Sequence, residues 1–117
     1  MKAVFFEVKE KERELLPSLL EGFDFHLYNE KLSEETAGLA AGAEIVSVFV
    51  DSEINKAMID LLPDCKFICT RSTGFDHIDT AYAKKKEIAI SNVPSYGSRT
   101  VAEFTFAHLL CLTRKIF

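Results

Sequence analysis

The sequence has no tryptophan, only three cysteines and three prolines, and no apolar run long enough to cross a bilayer. An odd number of cysteines inside apolar segments indicates buried free thiols and predicts a cytoplasmic location. Cys65 and Cys69 are four residues apart, but no histidine pair completes a metal site with them. The amino terminus becomes charged too early for a signal peptide. We therefore expect neither a metal nor a membrane partner.

Positive charge is scarce as well. The formal net charge is −4, and the lysine run at 84–86 is the only basic cluster. Nucleic-acid binding depends on basic side chains that neutralise phosphates, so this composition argues against a nucleic-acid partner. A hydrophobic content of 48% in 117 residues is typical of one folded globular domain.

Short apolar runs alternate with segments of helical spacing. The runs predict five strands, at 2–8, 23–29, 44–50, 66–70 and 88–91. Helices are expected after each strand, and the last one is long and begins at residue 100. This alternation predicts an α/β fold, a flavodoxin-like doubly wound sheet of five parallel strands in the order 2-1-3-4-5.

The helix boundaries carry their own signals. The first helical pattern contains Pro17, which is expected to kink the helix or delay its start. The second helix is expected to begin at Ser33 and to end near Gly42. Ser52 and Asp79 are expected to cap the third and fourth helices.

The segment RSTGFDHID, at 71–79, follows the fourth strand where ligands bind in doubly wound sheets. Gly74 allows a positive φ, so successive backbone N–H groups could turn inward and form a site for an anion. The alternative is a plain strand-to-helix turn that ends in a helix cap at Asp79. Taken alone, the segment favours the plain turn.

Two motifs change that balance. The first reads R-x-x-G-x-D-x-I-D, and the second, NVPSYGSRTVAEF, follows after a short helix and a strand. They are carried by Arg71, Gly74, Asp76, Ile78 and Asp79, then by 92–94, Tyr96 and 101–103. In both motifs the chain resembles the D-isomer-specific 2-hydroxyacid dehydrogenases, most closely their D-lactate dehydrogenase branch.

The resemblance implies a small 2-keto or 2-hydroxy acid as substrate and NAD as cofactor. It implies that the backbone amides of Thr73 and Gly74 bind the substrate carboxylate. Phe49 would line the pocket for the substrate side chain, with core packing as the alternative. Tyr96 would lean over the substrate, with an exposed loop aromatic as the alternative, and Val101 would press on the nicotinamide ring. Arg71 is expected to tie loop acids together.

The sequence lacks the G-x-G-x-x-G fingerprint of a dinucleotide site. The resemblance therefore implies a substrate-binding domain at 1–100 and an interdomain helix at 101–117 that leads to an NAD-binding Rossmann domain outside this chain. The family's catalytic arginine, acid and histidine also lie in later sequence, so no catalytic residue is expected here. His26 and His108 are assigned to packing, and His77 to an exposed loop. The chain is expected to be a fragment, inactive alone, of an enzyme that converts pyruvate and NADH to D-lactate and NAD.

The last helix is apolar around almost its whole circumference, which predicts burial against a partner. We expect a homodimer, or an oligomer in which the helix at 101–117 is exchanged between chains.

Two other classes of protein stay open. A receiver-like phosphoacceptor domain would use Asp51 after the third strand, but Glu7 has no acidic neighbour to help hold magnesium, and no lysine follows the fifth strand. A non-catalytic interaction module would recruit its partner through the last helix.

Overall fold

The structure is a computed structural model that describes residues 1–116. It contains one sheet, whose strands are β1 (Lys2–Phe5), β2 (Asp24–Leu27), β3 (Ile45–Val48), β4 (Phe67–Thr70) and β5 (Ala89–Ser91). All neighbouring strands pair in parallel, in the order β2-β1-β3-β4-β5. The predicted α/β fold and strand order are confirmed.

Four α-helices and one 3₁₀ turn connect and follow the strands. They are α1 (Glu10–Leu19), the 3₁₀ turn (Ala37–Ala40), α2 (Lys56–Asp60), α3 (Thr80–Lys85) and α4 (Ser98–Arg114). Pro17 lies inside α1 without delaying its start. The predicted second helix is reduced to the 3₁₀ turn, because the Thr36 hydroxyl bonds the Ser33 amide and the Lys31 carbonyl and so favours a local turn.

One predicted helix cap is confirmed and one is wrong. The Asp79 carboxylate accepts a hydrogen bond from the Tyr82 amide and caps α3. The residue that caps α2 is Asn55, whose side-chain oxygen accepts from the Met58 amide at 3.0 Å. Ser52 is instead buried in the domain, where its hydroxyl accepts from the Leu32 amide at 2.9 Å.

The core lies on both faces of the sheet. Its largest fully buried apolar side chains are Phe6, Leu32, Ile54 and Ile68. The central strand β3 is almost wholly buried, as a parallel strand covered by helices on both faces should be. This packing fixes the carboxyl ends of the strands, from which the candidate site is built.

The last helix, α4, projects from the domain. None of its residues is buried, and the radius of gyration is 17.5 Å. A compact chain of this length would have a radius of about 13 Å. The exposed apolar residues of α4 include Val101, Phe104, Phe106, Leu109, Leu110 and Leu112. Within residues 1–116, no helix has the length and apolar content needed to span a membrane.

Burial separates Cys65 from the other two cysteines. Desolvation, assisted by the nearby Cys69, raises the pKa of the Cys65 thiol from 9.0 to about 11. Two pKa units mean about a hundredfold less thiolate at mildly alkaline pH. At about pH 8 we expect the Cys69 and Cys111 thiols to react quickly with a disulfide reagent and the Cys65 thiol to react slowly. The slow phase should be absent from the Cys65→Ala variant.

The same pKa has a consequence for stability. The folded-state pKa lies above the unfolded value, so the contribution of Cys65 is present below about pH 9 and is lost as the pH rises toward 11. Equal reaction rates for all three native thiols would contradict this account of Cys65.

Candidate active site

The candidate site lies at the carboxyl edge of the sheet, where three loops leave side by side. Val48 pairs with Thr70, and Cys69 pairs with Ser91. The next residues of these strands, 49, 71 and 92, therefore leave the sheet next to one another. The loops after β3, β4 and β5 therefore share the edge at which doubly wound sheets bind ligands.

The loop after β4 is held through its carbonyl groups. The Ser72 carbonyl accepts from the Val93 amide at 3.0 Å, and the Thr73 carbonyl accepts from the Asn92 side chain at 2.8 Å. The Gly74 carbonyl accepts from the Ser72 hydroxyl at 2.7 Å. Three consecutive carbonyls are thus bonded to donors of the protein.

The amides of the same loop are not bonded in this way. Among residues 1–116, the backbone N–H groups of Thr73 and Gly74 have no acceptor, and both residues are exposed. In a trans peptide the C=O and N–H bonds point in opposite directions. Because the carbonyls of Ser72 and Thr73 both bond to residues 92–93, the amides of Thr73 and Gly74 both point away from those residues. Two adjacent free donors of this kind suit a carboxylate.

The expected conformation of Gly74 is wrong. The glycines with positive φ are Gly22 and Gly42, and Gly74 is not among them. A Cβ atom added at Gly74 would meet only the Asp76 carboxylate, at 3.9 Å. The orientation of the amide pair therefore comes from the bonded carbonyls and not from a left-handed glycine.

Arg71 is fully engaged inside the protein. Its guanidinium donates to the carbonyls of Phe6 and Glu7 at 2.8 and 3.0 Å and to the Ser47 hydroxyl at 2.9 Å. Its Nε pairs with the Glu12 carboxylate at 3.1 Å. Arg71 joins β4 to the end of β1, which agrees with a structural role, although among residues 1–116 Glu12 supplies the only carboxylate that it contacts.

Sequence reasoning missed the role of Glu7. Its backbone is left-handed, with φ 55°, and the residue is 8% exposed. Its carboxylate accepts from the Phe49 amide at 2.9 Å, from the Asp51 amide at 2.7 Å and from the Ser52 hydroxyl. Glu7 therefore fixes the loop after β3. The available signal was an acid inside the apolar run VFFEV.

These contacts also bear on the receiver-like alternative. The Glu7 carboxylate is already occupied by three protein donors. Residues 1–116 hold no cluster of three side chains placed to bind a metal ion. The acidic pair that a receiver domain needs is not assembled around Asp51.

The remaining predicted site residues do not meet in one closed pocket. Phe49 is half-buried and lines a cavity of about 720 Å³, with the Lys9 ammonium 5.6 Å from its ring centre. Tyr96 is 69% exposed and Val101 is 65% exposed. The cavity beside Phe49 is not lined by Thr73, Gly74 or Tyr96. The amide pair of Thr73 and Gly74 lies on the exposed surface at the sheet edge.

The histidines differ from their expected positions. His26 is exposed because β2 is an edge strand, and His108 is exposed because α4 projects from the domain. The packing roles predicted for these two residues are wrong, although the His108 ring packs edge-on against Phe104, with the two ring centres 4.3 Å apart. His77 is half-buried, and its Nε2 lies 3.2 Å from the Thr70 hydroxyl.

Residues 3–114 match the family described as D-isomer specific 2-hydroxyacid dehydrogenase, catalytic domain. The chain belongs to this family. It is 37% identical over 97 residues to a 2-hydroxyacid dehydrogenase homolog of Zymomonas mobilis, covering 81% of this chain and 29% of the relative. It is 30% identical over 120 residues to the D-lactate dehydrogenase of Escherichia coli, covering 99% of this chain and 36% of the relative.

The fold agrees with solved structures of the family. A D-lactate dehydrogenase from Aquifex aeolicus, complexed with NAD and lactic acid, superposes with a TM-score of 0.88 at 34% identity. The match covers 94% of this chain and 33% of that protein. The chain thus spans about a third of the length of the relatives that it matches.

Proposed function

We propose that the chain forms the substrate-binding side of an NAD-dependent D-2-hydroxyacid dehydrogenase that interconverts pyruvate and D-lactate. The observation that carries the proposal is the pair of free amides at Thr73 and Gly74, oriented by carbonyls that are bonded to residues 92–93. Membership of the family and the likeness to D-lactate dehydrogenases support the assignment.

The amide pair would hold the substrate carboxylate. Each hydrogen bond from a backbone amide to a carboxylate contributes about 1.5–3 kcal/mol. The donors are already fixed, so binding loses little conformational entropy in the loop. In this proposal Phe49 limits the size of the substrate side chain. Tyr96, in the loop after β5, covers the substrate bound at the amide pair.

The cofactor would contact this chain at α4. Val101 lies in the first turns of α4 and is exposed enough to meet a nicotinamide ring. When bound, NADH supplies the hydride that reduces C2 of the 2-keto acid. The sequence has no glycine-rich turn to hold the pyrophosphate, so the contact made by this chain is an apolar one.

We propose that these residues bind and orient the substrate but do not catalyse its reduction alone. The only histidine in the loop after β4 is His77, and its Nε2 is engaged with Thr70. In this proposal the proton donor and the catalytic arginine are supplied from outside residues 1–117.

Titration of the ¹⁵N-labelled chain with pyruvate tests the proposal. We expect the amide resonances of Thr73 and Gly74 to move the most, because a carboxylate bonded to an N–H group deshields its proton. Methyl pyruvate, which lacks the carboxylate, should leave both resonances in place. Equal shifts with the acid and the ester, or shifts confined to other residues, would rule the proposal out.

The Asn92→Leu variant tests whether pyruvate binding depends on the orientation of the Gly74 amide. Leucine has a similar size but no donor for the Thr73 carbonyl, so the peptide that carries the Gly74 amide loses its restraint. We expect pyruvate to bind about tenfold more weakly to this variant.

A further inference from the structure

A line of three buried or half-buried side chains runs beneath the amide pair. Ser72 is 4% exposed, and its hydroxyl donates to the Gly74 carbonyl. The Thr70 hydroxyl is 2.6 Å from the Ser72 hydroxyl, and the His77 Nε2 is 3.2 Å from the Thr70 hydroxyl. Thr70 is 2% exposed. The line connects the loop carbonyl to an imidazole.

Counting protons fixes the direction of every bond in this line. A carbonyl oxygen can only accept, so the Ser72 proton lies toward Gly74. The bond between the two hydroxyls must then use the Thr70 proton. A hydroxyl has one proton to donate, so Thr70 can only accept from His77. The His77 ring therefore carries a proton on Nε2.

We infer that Ser72, Thr70 and His77 form a one-directional hydrogen-bond relay that positions the substrate-binding loop, with neutral His77 held as the Nε2–H tautomer. Ser72 is a positioning residue, because it bonds the Gly74 carbonyl and touches no substrate. The effect on substrate binding rests on the proposed function, whereas the tautomer of His77 does not.

The relay completes the restraint of the loop. Donors of residues 92–93 bond the carbonyls of Ser72 and Thr73. Among residues 1–116, the Gly74 carbonyl is bonded only by the Ser72 hydroxyl. In the described part of the chain, every fully buried side-chain nitrogen or oxygen has a hydrogen-bond partner. A satisfied polar network of this kind favours one loop geometry over its neighbours. Without Ser72, the loop would be free to rotate at Gly74.

The first test measures the tautomer directly. Ring ¹⁵N–¹H correlation spectra at about pH 8, where imidazole is ordinarily neutral, should show the His77 proton on Nε2. In Ser72→Ala the Thr70 proton is free to turn toward Nε2, so we expect His77 to populate the Nδ1–H tautomer. Ser72→Thr keeps a hydroxyl and should restore the wild-type pattern.

Two results would overturn the relay. One is an Nδ1–H tautomer in the wild-type protein, and the other is an unchanged tautomer in Ser72→Ala. Should Ser72→Ala fail to fold, Thr70→Val decides, because valine has the shape of threonine and removes the link. The relay requires the fraction of the Nε2–H tautomer to fall in Thr70→Val toward the tautomer mixture of a free imidazole.

The second test measures pyruvate binding through the Thr73 and Gly74 amides. We expect Ser72→Ala to bind pyruvate roughly five- to tenfold more weakly and Ser72→Thr to bind as the wild type does. Ser18→Ala is the matched control, because the Ser18 hydroxyl also donates to a backbone carbonyl, that of Leu15, but on exposed α1.

The outcomes separate the two proposals. Absence of any pyruvate response in the wild type would overturn the proposed function, and the tautomer would still decide the relay. Equal pyruvate affinity in Ser72→Ala and the wild type would overturn the positioning role of Ser72.

Discussion

Replacing Glu7 by glutamine is expected to lower the free energy of unfolding by about 2–4 kcal/mol. The two carboxylate oxygens accept from the Phe49 and Asp51 amides and from the Ser52 hydroxyl. Glutamine has a single acceptor oxygen, so its NH₂ group must face one of these donors. At least one donor then loses its partner, and the Asp51 amide, which is part-buried, is the one that stands alone on its oxygen; total stability is only about 5–15 kcal/mol for a typical domain.

Urea denaturation measures this loss as a lower midpoint at an unchanged slope. Glu12→Gln is the matched control, because it also replaces a carboxylate by an amide, but the Glu12 carboxylate, which pairs with Arg71, is partly exposed. We expect that control to cost less than about 1 kcal/mol. A Glu7→Gln midpoint equal to that of Glu12→Gln would contradict the larger contribution expected from the three bonds of Glu7.

The chain is expected to associate through α4 at sub-millimolar concentration. Six large apolar side chains of α4 are half or more exposed. Complete burial of such side chains stabilises by about 1.5–3 kcal/mol each. Their partial burial in a dimer gives a sum of the same order as the roughly 4–15 kcal/mol that association costs. We therefore propose a homodimer or a helix-exchanged oligomer of moderate affinity.

Sedimentation of a charged variant tests this association. The double variant Leu109→Glu, Leu112→Glu should sediment as a monomer where the wild type associates. Leu15→Glu, Leu19→Glu is the matched control, since these leucines are equally exposed but lie on α1. A wild-type protein that remains monomeric at near-millimolar concentration, or a control pair with the same effect, would count against an interface formed by α4.

The strands were predictable because their apolar runs bury side chains on both faces of a parallel sheet. EIVSVFV reads as such a strand without any partner, and β3 is found within it. The Asp79 cap was predictable for the same kind of reason, since capping depends on residues three apart. Ser52 was misassigned because its partners, Glu7 and Leu32, are distant in sequence.

In the candidate site, too, the features set by neighbouring residues were predictable and those set by distant partners were not. The motifs predicted Thr73 and Gly74 as the carboxylate-binding residues, but the positive φ expected at Gly74 is not found. The amide pair is oriented by hydrogen bonds that Asn92 and Val93 donate to the Thr73 and Ser72 carbonyls from about twenty residues away. Glu7 was read only as an acid without the acidic neighbour that magnesium binding needs, because its three donors lie more than forty residues along the chain.

By itself, the sequence determined the sheet, its order and the family, since periodicity, short-range caps and the two motifs are properties of neighbouring residues. Only the tertiary structure decided which hydrogen bonds hold the loops at the sheet edge. Those bonds join groups that are far apart in the chain, and a buried donor or acceptor takes whichever partner the folded chain brings within about 3 Å.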